Sequence, residues 1–414
     1  MSADVMTQLK RPSVIGGAMI IAGTAVGAGM FSIPIVTSGV WFTGSIILLI
    51  YTWACMFFSG LMILEANMNY PAGASFHTMV KDLLGPVWNS INGLSITFVL
   101  YILTYAYISA GSSIITHNLA TVFPVSQMVA GLAFSILVAF FVWLSTRAVD
   151  RLSTILIGGM VITFILSVGG MFTQVSPAIL FNQSAGSDTQ YLPFALAALP
   201  YLLASFGYHG NVPGLVKYYR KDSKSVVRSL FIGTLIALVI YILWQYVIQG
   251  NISRDSFKLI IAEGGNIDAL LRQMDTSTGN STVSKFLTLF SYMALASSFL
   301  GVTLGLFDYL ADFFKFKDNG SGRFKSAVVT FLPPTVLALL LPNGFLYAIG
   351  FAGLAATVWA VIVPAMMAKA CRKRFPNSPY RAPGGHFLIG FVILFGVINA
   401  VAHILSLFNL LPVF

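Results

Sequence analysis

Eleven apolar runs, each about as long as a membrane-spanning helix, alternate with short polar segments along the chain. A helix needs about 20 apolar residues to cross about 30 Å of hydrocarbon. A β-barrel would instead show short strands of alternating polarity, which this sequence lacks. The pattern therefore predicts an all-α polytopic membrane protein. The predicted spans are 13–37, 43–66, 92–114, 127–146, 153–173, 192–215, 227–249, 286–309, 325–341, 345–368 and 386–410.

The first span contains a segment that is poorly suited to a helix. The run GTAVGAGMFSIP, from Gly23 to Pro34, holds three glycines and closes with a proline. Glycine costs about 1 kcal/mol and proline about 3 kcal/mol at an interior helix position, so we expect the helix to break here. In a membrane, freed backbone is tolerated only inside the protein or beside water. The break is therefore a candidate binding site, with N–H groups suited to a carboxylate and carbonyls suited to an ammonium group or a cation.

The sixth span repeats this anomaly. Between Ser205 and Pro213 it contains Gly207, Gly210 and a histidine at membrane depth. Two interrupted spans at corresponding positions, each followed by four further spans, are typical of an inverted repeat. Five spans in each repeat place the halves in opposite orientations. The predicted organisation is a first repeat over 13–173, a second repeat over 192–370, and an eleventh helix with the carboxyl terminus over 386–414.

Composition and charge agree with this class and add an orientation. Of the 414 residues, 57% are hydrophobic and only 9% are charged, whereas an ordinary soluble domain has about 25% charged residues. All but four of the 23 lysines and arginines fall in segments on one predicted side. Since cytoplasmic loops carry such an excess, residues 1–12 are predicted to be cytoplasmic and the carboxyl terminus periplasmic. The net charge of +10 is spread over separate loops, which argues against a nucleic-acid partner.

The remaining four cations lie in one long outer loop, at about 250–285. Apolar residues at helical spacing in RDSFKLIIAEG and NIDALLRQM predict two short helices in this loop. We expect them to form a lid over an outer entrance. A solvated loop with no gating role is the alternative.

Several longer motifs resemble a known family. They include GTAVGAGMFSIP, GLMILEANMNYP, YILTYAYISA, SFGYHGNVP and ASSFLGVTLGLFDYLAD. Over essentially its whole length the chain is similar to bacterial aromatic amino acid permeases of the hydroxy and aromatic amino acid permease family, with the tryptophan-specific members nearest in pattern. The resemblance implies a LeuT-type fold of two inverted five-helix repeats, with discontinuous helices 1 and 6. It also implies import of L-tryptophan by proton symport in the bacterial inner membrane.

The resemblance further assigns residues to the charged groups of the substrate. Amides in the first break would bind the carboxylate, and carbonyls in both breaks would meet the ammonium. In sodium-coupled relatives of this fold, paired small hydroxyls of helix 8 hold a cation, so a cation site is a second expectation. The residues are Gly27, Ala28 and Gly29 for the carboxylate, Ala25, Ser205 and Phe206 for the ammonium, and Ser297 and Ser298 for the cation.

Three aromatic residues are candidates for contact with the substrate's ring. Phe206 and Tyr208 flank the second break, and Tyr105 lies on a hydroxyl-bearing face of the third span. For each of them the alternative is ordinary core packing. An apolar pocket discriminates weakly between aromatic rings unless a polar group reads the indole N–H or rejects a phenol, and the sequence identifies no such group.

Proton coupling needs a titratable group within or beside the membrane. His209 stands in the second break, and the ordinary histidine pKa of about 6.5 lets it change charge near neutral pH. Glu65 and Asp308 lie near the inner ends of their spans, where they would act as proton carriers or as parts of an inner gate. The alternatives are a histidine that only bonds freed carbonyls, and carboxylates that only pair with nearby cations. Asp312 and His403 complete the set of candidates.

Other functional classes lack support in the sequence. An ATP-driven pump would need a GxxxxGK[ST] motif, and a metalloenzyme would need clustered ligands, for example HExxH; neither is present. We therefore expect a secondary active transporter that works by alternating access as a monomer, without an enzymatic activity, a metal or a cofactor. A tyrosine or broad aromatic carrier and a sodium-coupled serine or threonine carrier remain alternatives within this class, with a channel as a further one.

Overall fold

The computed structural model describes residues 12–120, 124–186 and 188–414. Within these ranges the chain is helical and contains no strand, which confirms the all-α prediction. The predicted cytoplasmic segment 1–12 lies outside the described residues except for Pro12. The helices are α1 (Val14–Ala25), α2 (Ser32–Val36), α3 (Trp41–Asn67), α4 (Phe76–Leu84), α5 (Pro86–Leu119), α6 (Gln127–Leu144), α7 (Thr146–Phe172), α8 (Pro177–Leu180), α9 (Ala195–Ser205), α10 (Val212–Tyr218), α11 (Ser223–Asn251), α12 (Ser256–Ala262), α13 (Ile267–Thr278), α14 (Ser281–Phe313), α15 (Gly320–Leu340), α16 (Phe345–Ala356), α17 (Val363–Arg374) and α18 (Gly385–Leu407).

The number of predicted spans is confirmed. Ten helical segments of the described chain are long and apolar enough to cross a membrane, and the pair Val14–Ala25 and Ala28–Val36, bent by 51°, adds an eleventh. Several helices exceed their predicted lengths, and the longest are α5 with 34 residues and α14 with 33. At 1.5 Å per residue each is about 50 Å long, so these helices tilt within the hydrocarbon or project beyond it.

Both predicted helix breaks are present. In the first span, α1 ends at Ala25, Gly27 is extended with φ −171°, and a 3₁₀ turn over Ala28–Phe31 leads into α2. In the sixth span, α9 ends at Ser205 and a 3₁₀ turn over His209–Asn211 leads into α10. Pro213 lies in the first turn of α10, where its missing N–H has no helical partner to lose.

The tenth span contains an irregularity that the sequence did not predict. Between α16 and α17, residues Thr357–Ile362 form a π-helical segment. The Ser59 hydroxyl of α3 donates a hydrogen bond to the Ala360 carbonyl within it. The wide turn therefore has a tertiary partner in the second span.

The end of the bundle that carries the connections 219–222, 314–319 and 375–384 is called the basic end here, because lysines and arginines tie its segments together. Lys221 donates to the Tyr70 carbonyl at 2.8 Å, Arg374 pairs with Asp82 at 3.0 Å, and Arg323 donates to the Trp143 carbonyl at 2.8 Å. These bonds join connections that are far apart in sequence. The sequence predicted that this end is cytoplasmic from its excess of lysine and arginine, and that orientation stays a prediction.

At the opposite end, the long loop forms two short helices where they were predicted, α12 and α13. Most of their apolar residues face the protein, since Phe257, Ile260 and Leu270 are buried, whereas Leu259 is exposed. α12 packs on α2, and α13 packs on α5, α11 and α14. The loop is thus in contact with the second half of the broken first helix.

Candidate functional site

Two helix ends meet at one tyrosine hydroxyl. The Tyr241 hydroxyl of α11 lies 2.6 Å from the carbonyl oxygen of Ala25 and 2.6 Å from that of Ser205, and Tyr241 is fully buried. The carbonyls at the end of a helix form the negative end of its dipole. Since α1 ends at Ala25 and α9 ends at Ser205, two negative helix ends converge on this hydroxyl. They include the carbonyls that the sequence assigned to an ammonium group.

The amide side of the first break faces α14. The Ala28 N–H donates to Ser298 Oγ at 3.1 Å. Gly27 permits this approach, because a Cβ added there would lie only 2.3 Å from Ser298 Oγ. Gly29 has more room, with 3.9 Å between an added Cβ and Ser205 Oγ. The structure thus places Ser298 as the acceptor for an amide that was assigned to the substrate's carboxylate.

The hydroxyls of Ser297 and Tyr105 form their hydrogen bonds away from the breaks. Ser297 donates to the Ala294 carbonyl within α14 at 3.1 Å. Tyr105 donates to the Leu341 carbonyl at 2.8 Å, immediately after α15. Tyr105 therefore connects α5 to the segment between α15 and α16.

The two aromatic residues beside the second break point in different directions. Phe206 is fully buried and packs edge-on against Tyr241, with ring centroids 5.1 Å apart. Tyr208 instead reaches α3, where its hydroxyl donates to the Met56 carbonyl at 3.0 Å. Gly60 makes space for that hydroxyl, since an added Cβ would lie 2.2 Å from it. Phe206 therefore lies where the two breaks meet, and Tyr208 lies between the second break and α3.

His209 is fully buried beside Tyr208. Its ring stacks on the Tyr208 ring at 4.4 Å and meets the Trp359 ring edge-on at 6.2 Å. Neither ring nitrogen has a well-oriented hydrogen-bond partner, although the Met56 carbonyl lies nearby. Because buried polar groups are normally paired, this imidazole has unused hydrogen-bonding capacity.

An apolar cavity of about 350 Å³ is lined in part by two neighbours of this histidine, Gly210 and Trp359. Its volume is within the usual range for small-molecule pockets. Tyr107 of α5 interacts with Ser298, beside the first break. Leu100 and Val99, in the cavity wall, precede Tyr107 by seven and eight residues along α5, which places them about 10–12 Å nearer the basic end. The cavity is lined by Ser75, Phe76, Ile96, Val99, Leu100, Gly210, Pro213 and Trp359.

The carboxylates predicted as proton carriers are not bonded to either break in the described structure. Glu65 is fully buried and paired with Arg372, whose Nε and Nη2 donate to its two oxygens at 2.7 and 2.9 Å. The Ala382 N–H adds a third hydrogen bond at 2.9 Å. Asp308 and Asp312 lie on the exposed surface of α14. The ring of His403 is also buried without a hydrogen-bond partner. It lies beside Gly350 of α16 and not at either break.

A second, polar cavity of about 380 Å³ lies beside α13, at the end opposite the basic end. Arg272 in its wall pairs with Asp268 at 2.6 Å and also with Glu263. Asn266 Oδ1 is buried there without a partner. Part of its lining comes from the long loop that was expected to form a lid over an outer entrance, and that gating role stays a prediction.

Sequence reasoning missed two residues of this region. Tyr241 contacts both breaks, and Tyr107 interacts with Ser298. Trp359, one of the aromatic residues of the tenth span, touches both His209 and the apolar cavity. A single tyrosine in the otherwise apolar stretch IALVIYILW was the available signal for Tyr241. That pattern is equally typical of core packing.

Comparison with known proteins places these features in context. Residues 10–403 match the model of the tryptophan/tyrosine permease family. The chain is 58% identical to a tryptophan-specific transport protein of Pseudomonas aeruginosa, over 99% of each chain. It is 57% identical to a tryptophan-specific transport protein of Haemophilus influenzae, over 96% of this chain and 97% of that protein. A tyrosine permease of Enterobacter agglomerans is 45% identical, over 97% of this chain and 98% of that protein.

Proposed function

Because the chain belongs to the tryptophan/tyrosine permease family, we propose that it imports L-tryptophan by proton symport, as a secondary active transporter of the bacterial inner membrane. One observation carries this proposal beyond family membership. The carbonyls of Ala25 and Ser205 and the N–H of Ala28 are grouped at two adjacent helix breaks. This arrangement offers acceptors for an ammonium and a donor for a carboxylate.

The backbone suits the recognition of a zwitterion inside a membrane. Helix ends supply partial charges of both signs, and they do so without an ionised side chain, which costs about 2.5–3.5 kcal/mol at the bilayer centre on insertion scales. Ala25, Ala28 and Ser205 are all buried, so these partial charges are little weakened by water. The main chain therefore binds the head group that all amino acids share, and the side chain of the substrate must be read elsewhere.

The apolar cavity is our proposed route for the indole ring. Its lining includes residues of α5 in the third span, of α10 in the sixth span and of the π-helical segment in the tenth span. The cavity lies on the basic side of the breaks, where the ring would pass towards the cytoplasm.

We assign proton coupling to His209. Of the five candidates, it alone lies in a break. Glu65 is held by Arg372, Asp308 and Asp312 lie on the surface, and His403 lies within α18. Its unpartnered nitrogens and the nearby Met56 carbonyl offer a place for a second ring proton. Protonation of His209 would then be coupled to a change in the conformation of the second break.

Alternating access requires two halves that move relative to each other. We assign the halves to 13–173 and 192–370, related as inverted repeats, with 386–414 as an additional helix. The amino terminus is then cytoplasmic and the carboxyl terminus periplasmic, and one copy of the chain is sufficient for transport. The buried breaks support this division, since each lies in the first helix of its half.

Uptake into proteoliposomes tests the substrate and the coupling ion together. Labelled L-tryptophan, L-tyrosine and L-serine are offered under an imposed proton gradient or an imposed sodium gradient. We expect accumulation of tryptophan that follows the proton gradient, saturates, and exceeds that of tyrosine. Preferred uptake of tyrosine or serine, or accumulation driven only by sodium, would refute the assignment.

His209→Gln tests the proton carrier. The amide keeps the polarity and approximate size of the side chain but does not titrate near neutral pH. We expect tryptophan exchange to persist while proton-driven accumulation is lost. His386→Gln, at the exposed start of α18, is the matched control. Undiminished proton movement with tryptophan in the His209 variant would exclude this histidine.

A further inference from the structure

Two side chains already satisfy the backbone groups that a substrate would use. The Tyr241 hydroxyl lies 2.6 Å from the carbonyls of Ala25 and Ser205, and Ser298 Oγ accepts the Ala28 N–H at 3.1 Å. The single Tyr241 O–H lies between two acceptors that an ammonium group, with three donors, would bind together. Ser298 supplies an acceptor to a donor, as a carboxylate would. Side chains from α11 and α14 thus reproduce the hydrogen bonds of an amino acid's head group.

The positions of these side chains do not follow from packing alone. A phenol has one proton, yet the Tyr241 oxygen is equally close to two carbonyls, both at helix ends whose dipoles favour positive charge. Ser298 reaches its amide only because position 27 is glycine. Both contacts are therefore directed at the polar groups of the breaks.

A carrier that works by alternating access has a step in which such substitutes are needed. After releasing its substrate, it must reorient with the site unloaded. During that step, the carbonyls and the N–H of the breaks would be buried without partners, which is unfavourable in a protein interior and more so in a membrane. A carrier without internal substitutes would be slow in this step, even if its loaded form moved well.

We propose that Tyr241 and Ser298 are positioning residues that replace the substrate's ammonium and carboxylate while the unloaded carrier reorients. This inference rests on the proposed function. When an amino acid binds, its ammonium, with three donors, takes over the two carbonyls and its carboxylate takes the Ala28 N–H. The Tyr107 side chain, which hydrogen-bonds to Ser298, then remains a partner for the Ser298 hydroxyl.

A purely structural role makes a different prediction. If Tyr241 only stabilised the fold, its loss would slow every mode of transport to a similar extent. If it replaces the ammonium, only cycles that include the unloaded carrier would slow. Net uptake includes the unloaded step, whereas exchange of external for internal tryptophan does not.

The experiment compares the two modes in Tyr241→Phe. Purified protein is reconstituted in proteoliposomes, and labelled L-tryptophan is measured both as net uptake under a proton gradient and as exchange against internal unlabelled L-tryptophan. We expect net uptake to fall about tenfold, the change expected when a buried polar group loses its partner. Exchange should stay within about twofold of the wild type, and this also shows that the variant is folded. A parallel fall in both modes, or no fall in net uptake, would overturn the inference.

Tyr246→Phe is the matched control on the same helix. Tyr246 packs against Phe42 and Phe172, so removal of its hydroxyl should leave the ratio of net uptake to exchange unchanged. A change in this ratio as large as that in Tyr241→Phe would show that any lost hydroxyl on α11 has the same effect, and it would overturn the inference.

Ser298→Ala provides a second variant should Tyr241→Phe fail to fold. It removes the acceptor of the Ala28 N–H, and we expect the same selective loss of net uptake. Ser291→Ala, whose hydroxyl donates to the Thr288 carbonyl of its own helix, is the control. Equal loss of both modes in Ser298→Ala would overturn the inference. If wild-type protein neither accumulates nor exchanges L-tryptophan, the proposed function fails and the inference fails with it.

Discussion

Replacing Gly27 by alanine tests the close contact between the first helix break and α14. The added Cβ would lie 2.3 Å from Ser298 Oγ and 3.6 Å from Ser298 Cβ, so the hydroxyl has to move. Its movement breaks the 3.1 Å hydrogen bond from the Ala28 N–H. With φ −171° the backbone at Gly27 is extended, a conformation that any residue adopts. The outcome therefore depends on the contact and not on backbone strain.

The size of the effect follows from the lost hydrogen bond. A buried N–H left without a partner costs about 1–3 kcal/mol, which corresponds to a factor of about 5–150 in the folding equilibrium. Gly29→Ala is the matched control, since its Cβ would be 3.9 Å from the nearest side-chain atom. We expect that substitution to change stability by less than about 1 kcal/mol.

Thermal unfolding in detergent, with tryptophan uptake alongside, measures the prediction. Gly27→Ala should lower the free energy of unfolding by about 1–3 kcal/mol and reduce uptake. In a Ser298→Ala background the obstructing oxygen is absent and the added Cβ meets only the side-chain carbon, so Gly27→Ala should have little further effect. The double-mutant cycle then gives a coupling energy of about 1–3 kcal/mol. Equal effects in both backgrounds, or equal effects of the alanine at Gly27 and at Gly29, would refute the reasoning.

Three further predictions concern the two ends of the bundle. Glu65→Gln should destabilise the protein by about 3–5 kcal/mol, because it leaves the charge of Arg372 buried without its partner. In thermal unfolding, the double variant Glu65→Gln with Arg372→Gln should be less destabilised than Glu65→Gln alone. A double variant that is more destabilised would contradict this prediction. Arg254→Lys should speed amide hydrogen exchange in the connections that contain Ser38, Gly39 and Gln190. The Arg254 guanidinium donates to the carbonyls of these three residues, and an ammonium lacks its planar geometry. Unchanged rates of amide hydrogen exchange would contradict this prediction. The hydrogen bond from Tyr70 holds the pKa of Asp82 below its ordinary value, so this stabilisation is complete above about pH 4 and is lost as the pH falls further. Unfolding temperatures of Asp82→Asn should therefore depend less on pH in that acidic range than those of the wild type, and identical profiles would argue against the linkage.

The elements that the sequence predicted well are those governed by local chemistry. The spans follow from apolar runs of sufficient length, and the breaks at Gly27 and Gly207 follow from residues that disfavour helix. The same local reasoning located the helices α12 and α13. None of these predictions required knowledge of which helices are neighbours.

The predictions that remain untested, and the residues that were missed, depend on long-range pairing. The Tyr241 hydroxyl bonds to a carbonyl 216 residues away, and the partner of Glu65 is 307 residues away. Tyr105 showed a favourable hydroxyl-bearing pattern, but its acceptor is Leu341, at a separation of 236 residues. A single sequence does not reveal such pairs, since backbone carbonyls leave no mark on the residue types around them.

The wide turn at Thr357–Ile362 sets the rotational phase of everything that follows it in the tenth span. Each residue of an α-helix advances the chain by about 100°. If one residue after Trp359 in this turn were deleted, Arg372 would be rotated by about 100° about the helix axis, away from Glu65. The position of Trp359, which precedes the deletion, would not change. The additional residue of the π-helical turn therefore sets the angle between two side chains of the same span. Trp359 is directed at His209, and Arg372 is directed at Glu65.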